Sequence, residues 1–220
     1  MKLIFSALFS LLLLAVKAQN VKVTSTDDFI HECTKNMGEL PHKQLVLWIP
    51  VNFWDIIGDK LNLPAEQLSQ MTAEMSKYMM VCVVDYTLNP GNDLTFKTED
   101  ELMKTITLTD SSKNEYYPLA KSDLTATAGY VLETFKPVMA QMLGQFGRGM
   151  CIFLFKQKMI AGKPAIDITK KNSFSIGWNN AKANWQLPLV STLPPKYCPV
   201  DHEQMKGNWS FCPIHGVKLD

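Results

Sequence analysis

Apolar positions along this chain change their period several times, and each change predicts an element. Phe29, Ile30, Cys33 and Met37 recur at helical spacing behind Asp27 and Asp28, which predicts a short amphipathic helix ending near Gly38. Leu45 to Ile49 is continuously apolar and reads as a buried strand stopped by Pro50. Phe53 to Ile57 then opens a helical turn that Gly58 interrupts. Over residues 64 to 79, Pro64 stands in the first turn and Leu68, Met71, Met75 and Met79 make one stripe, with Glu66, Gln70, Glu74 and Lys77 off it.

Beyond residue 79 the period becomes strand-like. Met80 to Leu88 is rich in β-branched and aromatic residues, and Asn89-Pro-Gly-Asn92 signals a turn. Leu94 and Phe96, then Leu102, Ile106 and Leu108, continue the extended reading, with Asp110 to Asn114 as a hairpin tip before Glu115 to Leu119. Residues 125 to 143 are helical in pattern, but Pro137 predicts two short helices meeting near Lys136. Gly144 to Gly149 precedes the apolar strand Met150 to Phe155, the reverse of the order in which a glycine-rich phosphate cradle follows a strand and opens a helix. Strand patterns then return at Ala165 to Ile168, at Phe174, Ile176 and Trp178, and at Trp185, Leu187 and Leu189, with Asn179-Asn180 as a turn.

The chain has 220 residues, 46% hydrophobic and 20% charged, which excludes a disordered or collagenous class and supplies core enough without disulfides. Lys2, the apolar run Leu3 to Val16, and the small residues Val16 and Ala18 form a secretory signal pattern, with cleavage expected after Ala18. The run falls short of the ~20 apolar residues of a spanning helix, and no later segment reaches that length. A secreted or periplasmic protein without a transmembrane anchor after signal cleavage is therefore expected. Loss of Lys2 and Lys17 turns the net charge from +1 to −1, and Arg148 is the only arginine. Neither feature suits a nucleic-acid partner.

His31 and Cys33, two positions apart, point to different sides of a helix and read as an exposed histidine and a buried thiol. Trp48 and Trp54 suggest a carbohydrate platform, but their apolar neighbours favour the core. Cys82 and Cys151 lie in apolar strands and are candidates for a disulfide between sheets.

Past the proline-punctuated stretch from Pro188 to Pro195 the composition changes. Two Cys-Pro knuckles, at Cys198 and Cys212, stand fourteen positions apart, and Cys212-Pro-Ile-His-Gly216 has donor spacing suited to one metal ion. The segment resembles the short bacterial zinc ribbon, in which CPxCG, roughly ten residues and FCPxCG place four cysteines around zinc. Cys198, Phe211, Cys212, Pro213 and Gly216 match, whereas Asp201 and His215 occupy two cysteine positions and His202 replaces the first glycine. The resemblance implies structural zinc on Cys198, Cys212, His215 and either Asp201 or His202. Two alternatives stand beside it: a Cys198–Cys212 disulfide, closing a 15-residue loop for about 3 kcal/mol, and a relic ribbon with free thiols.

The expected fold class is mainly β (α+β): an antiparallel immunoglobulin-like β-sandwich with helical insertions over residues 19–193, after a signal peptide at 1–18, and a small zinc-ribbon-like clip at 194–220. No nucleophile elbow, Walker loop or HExxH helix is present in the sequence. The expected function is a non-enzymatic binding or envelope-associated module for a protein or glycan ligand. A secreted hydrolase with a dispersed site is the second reading. Asn208-Trp-Ser210 also matches a glycosylation acceptor.

Overall fold

The computed structural model describes residues 23–61, 64–160 and 163–219, so the leader expected at residues 1–18 lies outside the described residues. The body begins with α1 (Thr26–Cys33), β1 (Thr34–Met37) and β2 (His42–Ile49), and passes through α2 (Asn52–Leu61) and α3 (Ala65–Met75) into β3 (Tyr78–Leu88) and β4 (Leu94–Phe96). It continues with α4 (Glu99–Met103), β5 (Thr107–Asp110), β6 (Glu115–Tyr116), α5 (Ala126–Met142) and β7 (Cys151–Lys156). A short hairpin of β8 (Met159–Ile160) and β9 (Lys163–Pro164) leads to β10 (Asn172–Trp178) and β11 (Ala181–Leu187), and the tail carries β12 (Lys196–Tyr197) and β13 (Gln204–Met205).

One sheet runs β1-β2-β3-β4 and the other β11-β10-β5-β6. β3 also pairs with β7 through Tyr78 to Val83, leaving Tyr86 to Leu88 for β4, so two strands share one edge end to end. Every pairing among the described strands is antiparallel. The chain is thus a mixed α/β protein of mostly antiparallel sheets with a few helices.

Tyr78 to Asp85 are buried without a break, because both faces of β3 are covered. On one face Trp48 meets Phe174 edge-on at 4.7 Å and Trp185 at 6.3 Å, joining the two sheets through aromatic contact. On the other, α3 and the 3-10 turn Gly144–Gly149 pack on β3. Trp54 of α2 lies 4.8 Å from Phe135 of α5. Both Trp48 and Trp54 are core residues, at 1% and 2% exposure, so neither is a platform for carbohydrate.

Several elements differ from the sequence reading. The first helix ends at Cys33, and Met37 belongs to a strand, because β-branched Thr34 turns extended (ψ 138°) and pairs with Leu47. α2 continues through Gly58. α3 stops at Met75, and Met79 joins β3, where it pairs with Phe155. Residues 99–103, read as extended, form α4 behind a capping box of Thr98 and Glu101. Residues 165–168 lie outside any strand.

The two helices expected around Pro137 are one. Ala128, Val131, Phe135 and Met139 of α5 keep a single buried stripe while Pro137 stays exposed, so packing outweighs the missing backbone bond. All five cysteines are unbonded. Cys82 pairs with Ile152 and Cys151 with Val83, so the two thiols sit one register position apart and point to opposite faces of the sheet.

Candidate metal centre

The tail is anchored before it begins. Glu32 of α1 accepts hydrogen bonds from the Ser191 amide (3.1 Å) and hydroxyl (2.8 Å), and the Thr24 amide donates to the Ser191 carbonyl at 2.8 Å. Gly207 packs so tightly on the connection that a Cβ there would overlap the Pro194 carbonyl. Beyond this seam Lys196 pairs with Met205 and Tyr197 with Gln204, and the Lys196 ammonium donates to the Trp209 carbonyl at 2.9 Å.

Cys198, Met205, Cys212 and Leu219 form a small core separate from that of the body, with Trp209 and Val217 packed against it. Two of its four buried members are thiols. Hydrophobic burial on this scale holds little by itself, so whatever joins the sulfurs decides whether the tail is ordered.

The two knuckles repeat one backbone design. The amide of Cys198 donates to the Glu203 carbonyl (3.0 Å) and that of His202 to the Cys198 carbonyl (2.8 Å). Fourteen residues later the amide of Cys212 donates to the Val217 carbonyl and that of Gly216 to the Cys212 carbonyl, both at 2.8 Å. His202 and Gly216 take matching left-handed backbones, φ 61° and 65°. The His215 amide donates to the Cys212 sulfur at 3.4 Å. The sequence motif therefore builds two turns that each aim a sulfur and the side chain three residues on at one point.

Three donors converge closely. His215 Nδ1 lies 3.4 Å from Cys198 Sγ and 3.6 Å from Cys212 Sγ, and all three donor atoms are within 4.8 Å of one another. Asp201 Oδ2 stands 3.5 Å from the same nitrogen. Tetrahedral zinc with Zn–S near 2.3 Å and Zn–N or Zn–O near 2.0 to 2.1 Å demands ligand separations of roughly 3.6 Å for sulfur to nitrogen and about 3.4 Å for nitrogen to oxygen. The sulfur-to-nitrogen separations of Cys198, Cys212 and His215 fit that geometry, and Asp201 lies beside the imidazole without closing on all three donors. Of the five residues singled out in the sequence, Cys198, Cys212 and His215 come together with Asp201 beside them. His202 stands apart, exposed, in the backbone position of the ribbon's glycine.

Electrostatics separates the two thiols. Burial pushes Cys198 above its ordinary value, and its side-chain contacts with Asp201 and Cys212 add to this against the opposing amides. Burial acts on Cys212 in the same direction, but the amides of His215 and Ile214, with the His215 ring and Cys198, outweigh it and leave that thiol below its ordinary value. The Glu203 amide holds Asp201 low and ionised, ready to serve as an oxygen donor.

A second arrangement went unread in the sequence. Asp85, fully buried in β3, accepts from His42 Nε2 at 2.6 Å, Trp178 Nε1 at 2.8 Å and Gln44 Nε2 at 3.4 Å, while the His42 side chain is about half exposed at 49%. The signal available was a single carboxylate inside the apolar run Met80 to Leu88. Trp178 is satisfied by it, in contrast to the indole N–H groups of Trp48 and Trp185, which have no hydrogen-bond partner among the described residues.

His31 is exposed and Cys33 buried, as their spacing implies. No family model, curated protein or solved structure matches the chain.

Proposed function

We propose that the protein is an exported, non-catalytic binding module whose C-terminal clip is organised by a structural zinc ion. The observation that carries the zinc reading is the convergence of Cys198 and Cys212 on His215 Nδ1; Asp201, 3.5 Å from that nitrogen, is the proposed fourth donor. Four protein donors fill a tetrahedral site and leave no position for a reacting water, the arrangement of structural rather than catalytic zinc. The binding role is supported by the apolar side chains that the clip presents to solvent. Val200 and Ile214, at the knuckle tips, are 58% and 65% exposed, and Tyr197 and Phe211 add aromatic surface of the kind enriched where protein partners dock. Export, to the periplasm or outside the cell, is supported by the leader-like residues 1–18. The finer fold reading, an immunoglobulin-like sandwich with inserted helices, is supported by the aromatic contacts of Trp48 with Phe174 and Trp185 across the two antiparallel sheets.

Metal analysis of the purified protein tests the central claim. One zinc per chain is expected, retained when His202 is replaced and lost or strongly weakened in Cys212→Ser; a protein that purifies and refolds without metal, its Cys198–Cys212 peptide lighter by two hydrogens, would make the tail a disulfide clip instead.

One observation favours the hydrolase reading. An exposed histidine held by a buried carboxylate is half of an acid–base constellation, and His42 with Asp85 has that form. A panel of ester, glycoside and peptide substrates separates the two readings: turnover that disappears in His42→Ala would replace the binding module with an enzyme.

A further inference from the structure

Cys198 and Cys212 are the only thiols in the tail, and they are at once half of its buried core and two of its proposed metal donors. Their sulfur atoms lie within 4.8 Å of one another, 3.4 and 3.6 Å from one imidazole nitrogen, and they belong to turns of matching backbone geometry. An S–S bond of about 2.05 Å draws the two turns together from that distance. The body thiols are no competitors for either of them, since Cys33, Cys82 and Cys151 are all buried within the other core.

A full zinc ribbon spreads its metal over four thiolates. Here two of the four donors are Asp201 and His215, so joining the remaining two sulfurs removes every sulfur ligand in one step. The oxygen and nitrogen donors that remain are too few to hold the ion in competition with water. Little stands in the way of the rearrangement, because the tail core holds only Met205 and Leu219 besides the sulfurs, and small cores open locally at low cost.

Resting on the zinc reading above, we propose that the clip is a redox latch in which Cys198 and Cys212 alternate between zinc thiolates and a disulfide, with a peroxide as the oxidant. One sulfur attacks a peroxide oxygen; the O–O bond breaks, hydroxide leaves, and that sulfur becomes a sulfenic acid. The second sulfur attacks it, the S–O bond breaks, a second hydroxide leaves, and the S–S bond forms. Two electrons pass from the sulfur pair to the peroxide, protons from water and buffer neutralise the hydroxides, and zinc departs to solvent. Reduction by a dithiol returns the thiolates and the site. In an oxidising compartment the fraction of latched protein then reports both the redox poise and the zinc level.

The experiment uses the full exported protein, reduced and loaded with zinc, titrated with hydrogen peroxide while a chromogenic chelator reads zinc release and peptide mass spectrometry reads the sulfurs. Release of one zinc for each peroxide consumed is expected, with the peptide pair containing Cys198 and Cys212 lighter by two hydrogens and zinc uptake recovered after dithiothreitol. Zinc that stays bound at peroxide excess would overturn the latch while leaving the zinc site intact. Release accompanied by sulfinic or sulfonic acids, or by a disulfide to Cys33, Cys82 or Cys151, would also overturn it. A reduced protein that binds no zinc would fail the reading on which the latch rests, and the latch with it.

Discussion

His202 and Gly216 perform the same backbone task in the two knuckles, but only one of them is built for it. A left-handed conformation crowds the Cβ of an L residue and costs about 1 kcal/mol that glycine avoids. We therefore expect His202→Gly to stabilise the tail by about 1 kcal/mol in denaturant unfolding with zinc stoichiometry unchanged; a loss of zinc affinity would instead make His202 a ligand. From sequence alone Asp201 and His202 were equal candidates for the fourth donor. What separates them is the turn: Asp201 lies 3.5 Å from the His215 ring, whereas His202 takes the left-handed position that reverses the chain. Asp85 was harder to read. Its partners His42 and Trp178 lie 43 and 93 positions away, so no local pattern could mark it as the carboxylate that joins two sheets.

Among the elements, α5 shows how burial overrides a local rule. Pro137 takes away one amide donor on the solvent side, but breaking the helix there would separate Phe135 from Met139 in the core. Pro137→Ala restores the donor and should raise stability by about 1 to 3 kcal/mol, read as a shifted denaturation midpoint with unchanged slope. α4 is the opposite case: its capping box Thr98-x-x-Glu101 was present in the sequence, and Leu102 and Ile106 are spaced as well for a helix as for a strand.

The first residue of α4 also ties elements together. Burial pushes the Glu99 carboxyl up, but Lys121 at 3.0 Å and Lys136 of α5 at 3.3 Å outweigh it, leaving the group below its ordinary value of 4.5. A folded value lower than the unfolded one adds stability above pH 4.5 that is lost as pH falls through the folded value. Unfolding measured from neutral to acid pH should show a shallower acid decline in Glu99→Gln than in the parent protein, and equal declines would mean that the two lysines do not stabilise the fold through this charge.

For the whole molecule the decisive feature is that body and tail have separate cores, joined at the Glu32–Ser191 seam and under Gly207. With zinc in the proposed site, chelation should speed amide exchange across residues 196–219 by at least about tenfold while the protection of β2, β3 and β10 stays constant; parallel loss in the body would mean one cooperative unit. The two Cys-Pro knuckles, the hairpins at Asn89 and Asn179, the capping box and the apolar strand β3 were present in the residues themselves, because each depends on contacts within a few positions or on a single face's period. The pairing of β3 with β2, β4 and β7, the survival of α5 across Pro137, the separation of Cys82 from Cys151 and the burial of Asp85 against His42 and Trp178 came only with the tertiary structure. These depend on which distant surfaces share a core, and the free energy of burying them exceeds the local preferences that a sequence displays.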